Sequence, residues 1–191
     1  MRRFLYTLVL ALPLFILSCA SFPTDFTDYQ TLAYGGLLID GDTYELKSIS
    51  ILTDDWKHEV YNSHIYIKDN EFVIHSIKPG KYLIDEIDID GPAGFDVSLM
   101  LFGDKAIRFE VKENGVTNVF SSRCEVSNYF VTAKVTITET GPDVDKVILK
   151  DLIEKAENST LQKIFSDYYD AKYGKYKINP KTNINNTLAA S

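Results

Sequence analysis

Between about residue 32 and residue 139 the chain repeats one pattern: a short run of alternating apolar and polar residues, then a turn signal, then another run. The turn signals are Asp40-Gly41-Asp42, Asp69-Asn70, Pro79-Gly80, Gly91-Pro92, Gly103-Asp104 and Asn114-Gly115. Successive side chains of a strand point to opposite faces, so alternation of period two describes a strand with one buried face and one wet face. Short strands separated by turns at this spacing predict an all-β sandwich or barrel. The strictest runs set Ile107, Phe109 and Val111 against Arg108, Glu110 and Lys112, and Val131, Ala133, Val135 and Ile137 against Thr132, Lys134, Thr136 and Thr138. Looser runs lie near 43–52, 59–68, 71–77, 81–89 and 95–102, which gives at least seven strands. One-sided strands suit antiparallel sheets, so the expected class is mainly β, an antiparallel sandwich.

After Ile137 the period lengthens to that of a helix. Thr140-Gly141-Pro142-Asp143 is a helix start: proline fits the first turn, and Asp143 sits favourably beside the positive end of the helix. Val144, Val147, Ile148, Leu152 and Ala156 fall on one helical face. Asn158-Ser159-Thr160 interrupts this helix, and Ser159 with Gln162 has the spacing of a capping box for a second one. Leu161, Ile164, Phe165 and Tyr168 form the second stripe, and Gly174 is placed to end it. Helices this short are marginal alone in water, so the pair is expected to pack on the sandwich. The predicted organisation is a signal segment at 1–18, a tether at 19–31 without sustained period, a β-sandwich at 32–140, a C-terminal α-helical hairpin at 141–174 and a disordered tail at 175–191.

Arg2 and Arg3 precede an uncharged stretch from Phe4 to Leu17, the layout of a signal peptide. As a helix that stretch would reach about 21 Å, short of a hydrocarbon core of about 30 Å, and Pro13 interrupts it. A retained transmembrane anchor is therefore not expected. The stretch ends in Ile16-Leu17-Ser18-Cys19-Ala20, which resembles the lipobox of bacterial lipoproteins, with Ile16 where leucine is usual. The resemblance implies cleavage before Cys19 and lipidation of that cysteine, and two or more acyl chains give stable anchoring. Ala20, where an inner-membrane retention signal often has aspartate, favours the outer membrane by the same resemblance. The alternative is an ordinary secretory signal, cleaved for instance after Ala20.

The chain carries 20 basic and 27 acidic side chains, a formal −7, and loss of two arginines with residues 1–18 leaves 18 against 27, or −9. No basic tract marks a nucleic-acid footprint. With Cys19 acylated, Cys124 has no cysteine to pair with, and its place in Ser122-Arg123-Cys124-Glu125-Val126 predicts a buried, inert strand position.

The segment Phe72-Val73-Ile74-His75-Ser76-Ile77-Lys78-Pro79-Gly80-Lys81-Tyr82-Leu83-Ile84 resembles the signature of transthyretin-like and carboxypeptidase-regulatory-like β-sandwich modules. In these a strand runs through x-Pro-Gly-x-Tyr into the next. Pro79 would preset φ at the first central position of a hairpin turn, Gly80 would supply the positive φ of a type II turn, and Tyr82 would return to the sandwich. Phe109-Glu110-Val111-Lys112-Glu113-Asn114-Gly115-Val116-Thr117 resembles a second hairpin of related small bacterial lipoprotein domains. The implied fold is an immunoglobulin-like or transthyretin-like sandwich. Such modules are scaffolds without one shared activity.

Few residues carry recognisable chemistry. His58, His64 and His75 are close in sequence, yet their spacings are not those of zinc ligands. Asp85-Glu86-Ile87-Asp88-Ile89-Asp90-Gly91 alternates like a calcium loop, but counting Glu86 as the first ligand puts Val97 where an EF-hand needs glutamate. An acidic strand face explains the run, with weak calcium binding there as the open alternative. Trp56 lies between strand patterns in Thr53-Asp54-Asp55-Trp56-Lys57-His58-Glu59. Exposed, Trp56 with His58 could contact a sugar or a partner surface; buried, Trp56 would plug one end of the sandwich. Ser121-Ser122 has no candidate base nearby in sequence, and no phosphate loop or nucleophile elbow is present. No catalytic residue, metal ligand or cofactor is assigned.

The function these features favour is a lipid-anchored cell-envelope protein, held in the membrane through Cys19 and acting as a non-catalytic binding or assembly module for an envelope protein or glycan. The first alternative is an envelope hydrolase acting on glycan or peptide through loop residues such as Asp54, Asp55, His58 and Asp88. It requires two of Asp54, Asp55, Asp85 and Asp88 to meet in a cleft about 5–10 Å apart. The second alternative is a structural spacer.

Overall fold

A computed structural model describes residues 31–40, 43–60, 64–94, 96–129, 132–156 and 160–175. The signal segment, Cys19, the tether up to residue 30, Ser159 of the expected capping box and the tail from residue 176 lie outside the described residues. The strands are β1 (Leu32–Asp40), β2 (Glu45–Thr53), β3 (Ile65–Lys68), β4 (Glu71–His75), β5 (Gly80–Asp90), β6 (Val97–Met100), β7 (Ile107–Val111), β8 (Val116–Tyr129) and β9 (Thr132–Thr140). Helices α1 (Pro142–Lys155) and α2 (Thr160–Tyr173) follow. One sheet has the order β3-β4-β1-β8-β9. In the other, β5 pairs with β2 on one side and with both β6 and β7 on its other side, so the two short strands act as one interrupted edge. The fold is the expected β-sandwich with two C-terminal helices, and among the described residues one strand pair is parallel, β1 with β8.

Two apolar clusters follow from this layering. Ala33, Leu37, Phe72 and Ile74 of the five-stranded sheet meet Leu46, Ile49, Ile51, Ile84, Ile87 and Ile89 of the other between the sheets. On the far side of the five-stranded sheet, Leu32, Tyr34 and Val73 receive Ile148, Leu152 and Ile153 of α1 and Leu161, Phe165 and Tyr169 of α2. The helices therefore form a third layer, packed on the sandwich as expected. Strands β1 and β4 are covered on both faces, which is why Leu32-Ala33-Tyr34 and Phe72-Val73-Ile74 are continuous apolar runs. In β1, Gly35 is required by close approach: a Cβ there would lie 2.5 Å from the carbonyl oxygen of Phe120 and from the ring of Phe72.

Four expectations are corrected. The Pro79-Gly80 segment joins β4 to β5, which belong to different sheets, so it is an arch between layers and no hairpin. Both edges of β4 are already taken by β3 and β1, leaving β5 no place beside it. Gly80 does not adopt the positive φ of a type II turn; Ser76 takes the left-handed conformation, at φ 55°, and the Tyr82 hydroxyl donates to the Lys78 carbonyl at 2.7 Å. The Asn114-Gly115 turn likewise crosses between sheets, since β8 is flanked by β1 and β9, and Asn114 carries the positive φ of 53°. Val147 is 46% exposed, because the buried face of α1 is broadened on its other side by Asp145, Leu149 and Ile153. Ile137 is 58% exposed, because β9 is the last strand of the wider sheet.

Candidate functional site

At the end of β2 the backbone folds back on itself around Thr53. Its carbonyl accepts from the Trp56 amide at 2.8 Å, its amide donates to the His58 carbonyl at 2.8 Å, and its hydroxyl donates to Asp55 Oδ1 at 2.6 Å. Asp55 Oδ1 also accepts from the Lys57 amide at 3.3 Å. The Thr53 hydroxyl and Lys57 together hold the Asp55 carboxyl down at about 2. This cross-linked turn fixes Trp56 at φ 60° with 41% of its surface exposed. A positive φ is unfavourable for a bulky side chain. Trp56 is thus presented outward, and the sequence alternative of a plug inside the sandwich is overturned.

Next to the turn, Asp54 accepts from Arg108 Nε at 3.2 Å, and its amide donates to the Lys81 carbonyl at 3.0 Å. Asp54, Lys81, Tyr82, Arg108, Phe109 and Glu110 line a shallow cleft of about 330 Å³. The rings of Tyr82 and Phe109 are stacked, with centroids 5.7 Å apart. Exposed indole, ion pair and stacked rings thus share one end of the smaller sheet. His58 is exposed in the same turn, and its amide donates to the Thr53 hydroxyl at 3.2 Å.

The other sequence candidates are dispersed. Asp88 accepts from Ser48 at 2.6 Å and from Ser98. Asp85 falls where the pairing of β2 with β5 shifts register, and its Oδ1 is buried without a hydrogen bond. His64 and His75 face each other across the β3–β4 hairpin, with ring centroids 5.8 Å apart, and burial followed by the His64 charge holds His75 below its usual range. Among the described residues no three His, Cys, Asp or Glu side chains come together as metal ligands. Cys124 is buried as expected, and burial, then Asp40, pushes its thiol up to about 11.

The most connected polar group was not singled out from sequence. Asp145, in the first turn of α1, is buried, and its Oδ1 accepts from Tyr34 Oη at 2.8 Å, Asn118 Nδ2 at 2.6 Å and Ser121 Oγ at 3.0 Å. Its Oδ2 accepts from Lys172 Nζ at 2.9 Å and from the Tyr173 hydroxyl. Burial pushes the carboxyl up, but the hydrogen bonds from Tyr173, Lys172 and Tyr34 outweigh it and hold it below its ordinary value. β1, β8 and α2 are thereby tied to the start of α1. The only local signal was an acid set among the apolar positions of an amphipathic helix. Ser121, for which no base was evident in sequence, donates here to a carboxylate already occupied by four other donors.

No family model matches the chain, and no curated protein matches it. One similar solved structure is that of a "putative cell adhesion protein" from Bacteroides fragilis, 11% identical, with a TM-score of 0.35 over 58% of this chain and 46% of that one. The chain spans about half the length of that structure.

Proposed function

We propose that the chain is a lipid-anchored envelope protein of the bacterial outer membrane, anchored through Cys19, whose immunoglobulin-like or transthyretin-like module binds an envelope protein or glycan without catalysis. The observation that carries this is Trp56, an exposed indole fixed at φ 60° by hydrogen bonds within its own turn, beside a cleft with stacked rings and an ion pair. Strained, solvent-facing aromatic residues persist where the surrounding structure over-determines them, commonly at ligand clamps. Large amphipathic rings are also the side chains that dominate binding energy at interfaces.

The hydrolase alternative finds less support. A general acid needs a raised pKa near the working pH, whereas Asp55 is held at about 2, Asp54 is committed to Arg108 and Asp88 to two serine hydroxyls. Trp56 is the one tryptophan of the chain, so its emission reports on this turn alone. Titration of the detergent-solubilised chain with envelope glycan fragments, alongside in-cell crosslinking from position 58, should shift the Trp56 emission or capture an envelope protein. Trp56→Ala should abolish the crosslink, or the glycan binding heat read by calorimetry, while leaving the melting temperature within about 2 °C, since exposed residues rarely contribute more than ~0.5 kcal/mol. Unchanged wild-type emission together with no crosslink, or binding heat and crosslinking undiminished in Trp56→Ala, would overturn the proposal.

A further inference from the structure

The cleft beside Trp56 is walled by charges of both signs. Lys81 of β5 stands directly across from Glu110 of β7, and Asp54 at the end of β2 accepts from Arg108 of β7. We propose that this cleft and Trp56 together bind a neutral β-1,4-linked glycan, one pyranose lying flat on the indole and a further one setting its hydroxyls between Arg108 and Glu110. The inference rests on the Trp56 reading above and narrows it from an envelope protein or glycan to one chemistry.

Charge selects a neutral ligand. The two bases, Lys81 and Arg108, and the two acids, Asp54 and Glu110, sum to zero along the wall. Beside Trp56, Asp55 is matched by Lys57 at 3.1 Å. An anion gains at one member of each pair and is repelled by the other, and a cation meets the same conflict with the signs reversed. A neutral ligand meets neither repulsion.

The hydrogen-bonding groups left open select hydroxyls. Arg108 has five N–H donors and gives Nε alone to Asp54, at 3.2 Å. Among the described residues its terminal amino groups have no partner, and the side chains of Lys81 and Glu110 make neither a hydrogen bond nor an ion pair, although they stand opposite one another. Open donors and open acceptors therefore lie side by side. A hydroxyl both donates and accepts, and neighbouring hydroxyls of one sugar ring bring both functions to both kinds of group. A peptide satisfies its main chain best along a free sheet edge, whereas the β5 residues lining the cleft are already paired on one side by β2 and on the other by β7.

Trp56 supplies the flat surface. The face of an aromatic ring is the negative part of its quadrupole, and the axial C–H bonds of an all-equatorial pyranose present the positive counterpart. A β-1,4 linkage keeps successive rings extended, so that one ring rests on the indole while another enters the cleft. The cleft's volume, about 330 Å³, is at the low end of small-ligand sites and suits a single ring of a longer chain.

The test is calorimetry and Trp56 emission on the full chain in detergent, with three β-1,4-linked trimers: N-acetylglucosamine, which is neutral, glucosamine, which is cationic, and glucuronic acid, which is anionic. Mildly acidic buffer of constant ionic strength keeps the amines charged. The neutral trimer should shift the emission and bind at least about five-fold more tightly than either charged one, the scale of one exposed charge pair. Glu110→Gln should weaken the neutral trimer, because a hydrogen bond to a charged group is the stronger kind, and should tighten the acidic one. Lys81→Gln should tighten the cationic one. Loss of structure would weaken all three trimers together and cannot produce these opposed shifts. Equal binding of the three trimers, tighter binding of a charged one, or selectivity unchanged in both variants would each overturn the proposal. No trimer binding alongside a Trp56-dependent crosslink to an envelope protein would overturn the glycan assignment and leave the Trp56 reading standing, and loss of both would overturn both.

Discussion

Two buried carboxylates set opposite pH dependences on the same fold. Glu71 is 2% exposed, and burial pushes it up to about 8 even though Lys155 Nζ lies 2.7 Å away. That ammonium also serves Asp69 and Asp151, each at 3.5 Å, so its charge is divided among three acids. A carboxyl raised in the fold is stabilised in its neutral form: its contribution is complete below its ordinary 4.5 and is lost as pH rises through about 8. Asp145 has the reverse sign, because its donors favour the carboxylate; its contribution is present above 3.8 and is lost as pH falls through its lower folded value. Urea unfolding across pH should therefore show stability declining from about 4.5 towards 8. Glu71→Gln should flatten that decline, and a slope unchanged in Glu71→Gln would refute the assignment. Asp145→Asn should destabilise at neutral pH by roughly 2–4 kcal/mol, below the ~3–5 of a fully buried pair because Lys172 is partly solvated. Neither acid was legible in the sequence: Glu71 heads a strand and Asp145 a helix, places where acids are usually wet. Their burial comes from partners far along the chain, Lys155 for one and Tyr34 for the other. Cys124 was legible because alternation is a local pattern, whereas Trp56 stood open between an exposed contact and a plug, since a turn signal does not say what the turn packs against.

The helical pair is the element whose removal should matter most. Phe165 is fully buried and meets Tyr34 of β1 edge to face, with centroids 5.6 Å apart. Phe165→Ala should cost about 3–5 kcal/mol, as other large aromatic truncations in cores do. A chain ending after Thr140 would leave Leu32, Tyr34 and Val73 facing water, so it should bind an apolar dye and lose its cooperative melt. A truncated chain that melts at the wild-type temperature would show instead that the helices are not part of the fold's stability. Both helices were visible in the sequence, since the change of period, Pro142 at the start and Gly174 at the end are local, and Gly174 does end α2 at φ 88°. The arches at Pro79-Gly80 and Asn114-Gly115 were not. Turn chemistry says that the chain reverses; which strand comes next depends on whether an edge is free, and that is decided by pairings from distant sequence. The exposed Ile137 and Val147 escaped for the same reason, since periodicity assigns faces without saying how wide a covering layer will be.

At the scale of the molecule, three layers and a tether must be reconciled with a membrane. No helix among the described residues is long and apolar enough to cross one. In the proposed protein, attachment rests on Cys19. The described chain begins at Thr31, which is buried, donates from its hydroxyl to the Ile77 carbonyl at 2.5 Å and leads directly into β1 in the middle of the five-stranded sheet. Residues between Cys19 and Thr31 reach at most about 40 Å when fully extended, so an acylated Cys19 would keep the sandwich within that distance of the bilayer. After the proposed cleavage before Cys19 the chain's −9 would oppose adsorption to anionic lipid, and at physiological ionic strength such repulsion is screened beyond about 8 Å. Acyl chains and surface charge thus give separable signatures. Membranes carrying the protein should retain it through a high-salt wash and release it to detergent, and mass spectrometry should find the mature terminus at a diacylated Cys19. Cys19→Ala should leave it as precursor or free of the membrane, and its soluble fraction should not bind anionic vesicles at any salt concentration. Release by salt from the wild-type membranes, or a mature terminus at Ser21 after cleavage behind Ala20, would remove the lipid anchor and with it the place in the envelope that the proposed binding surface requires.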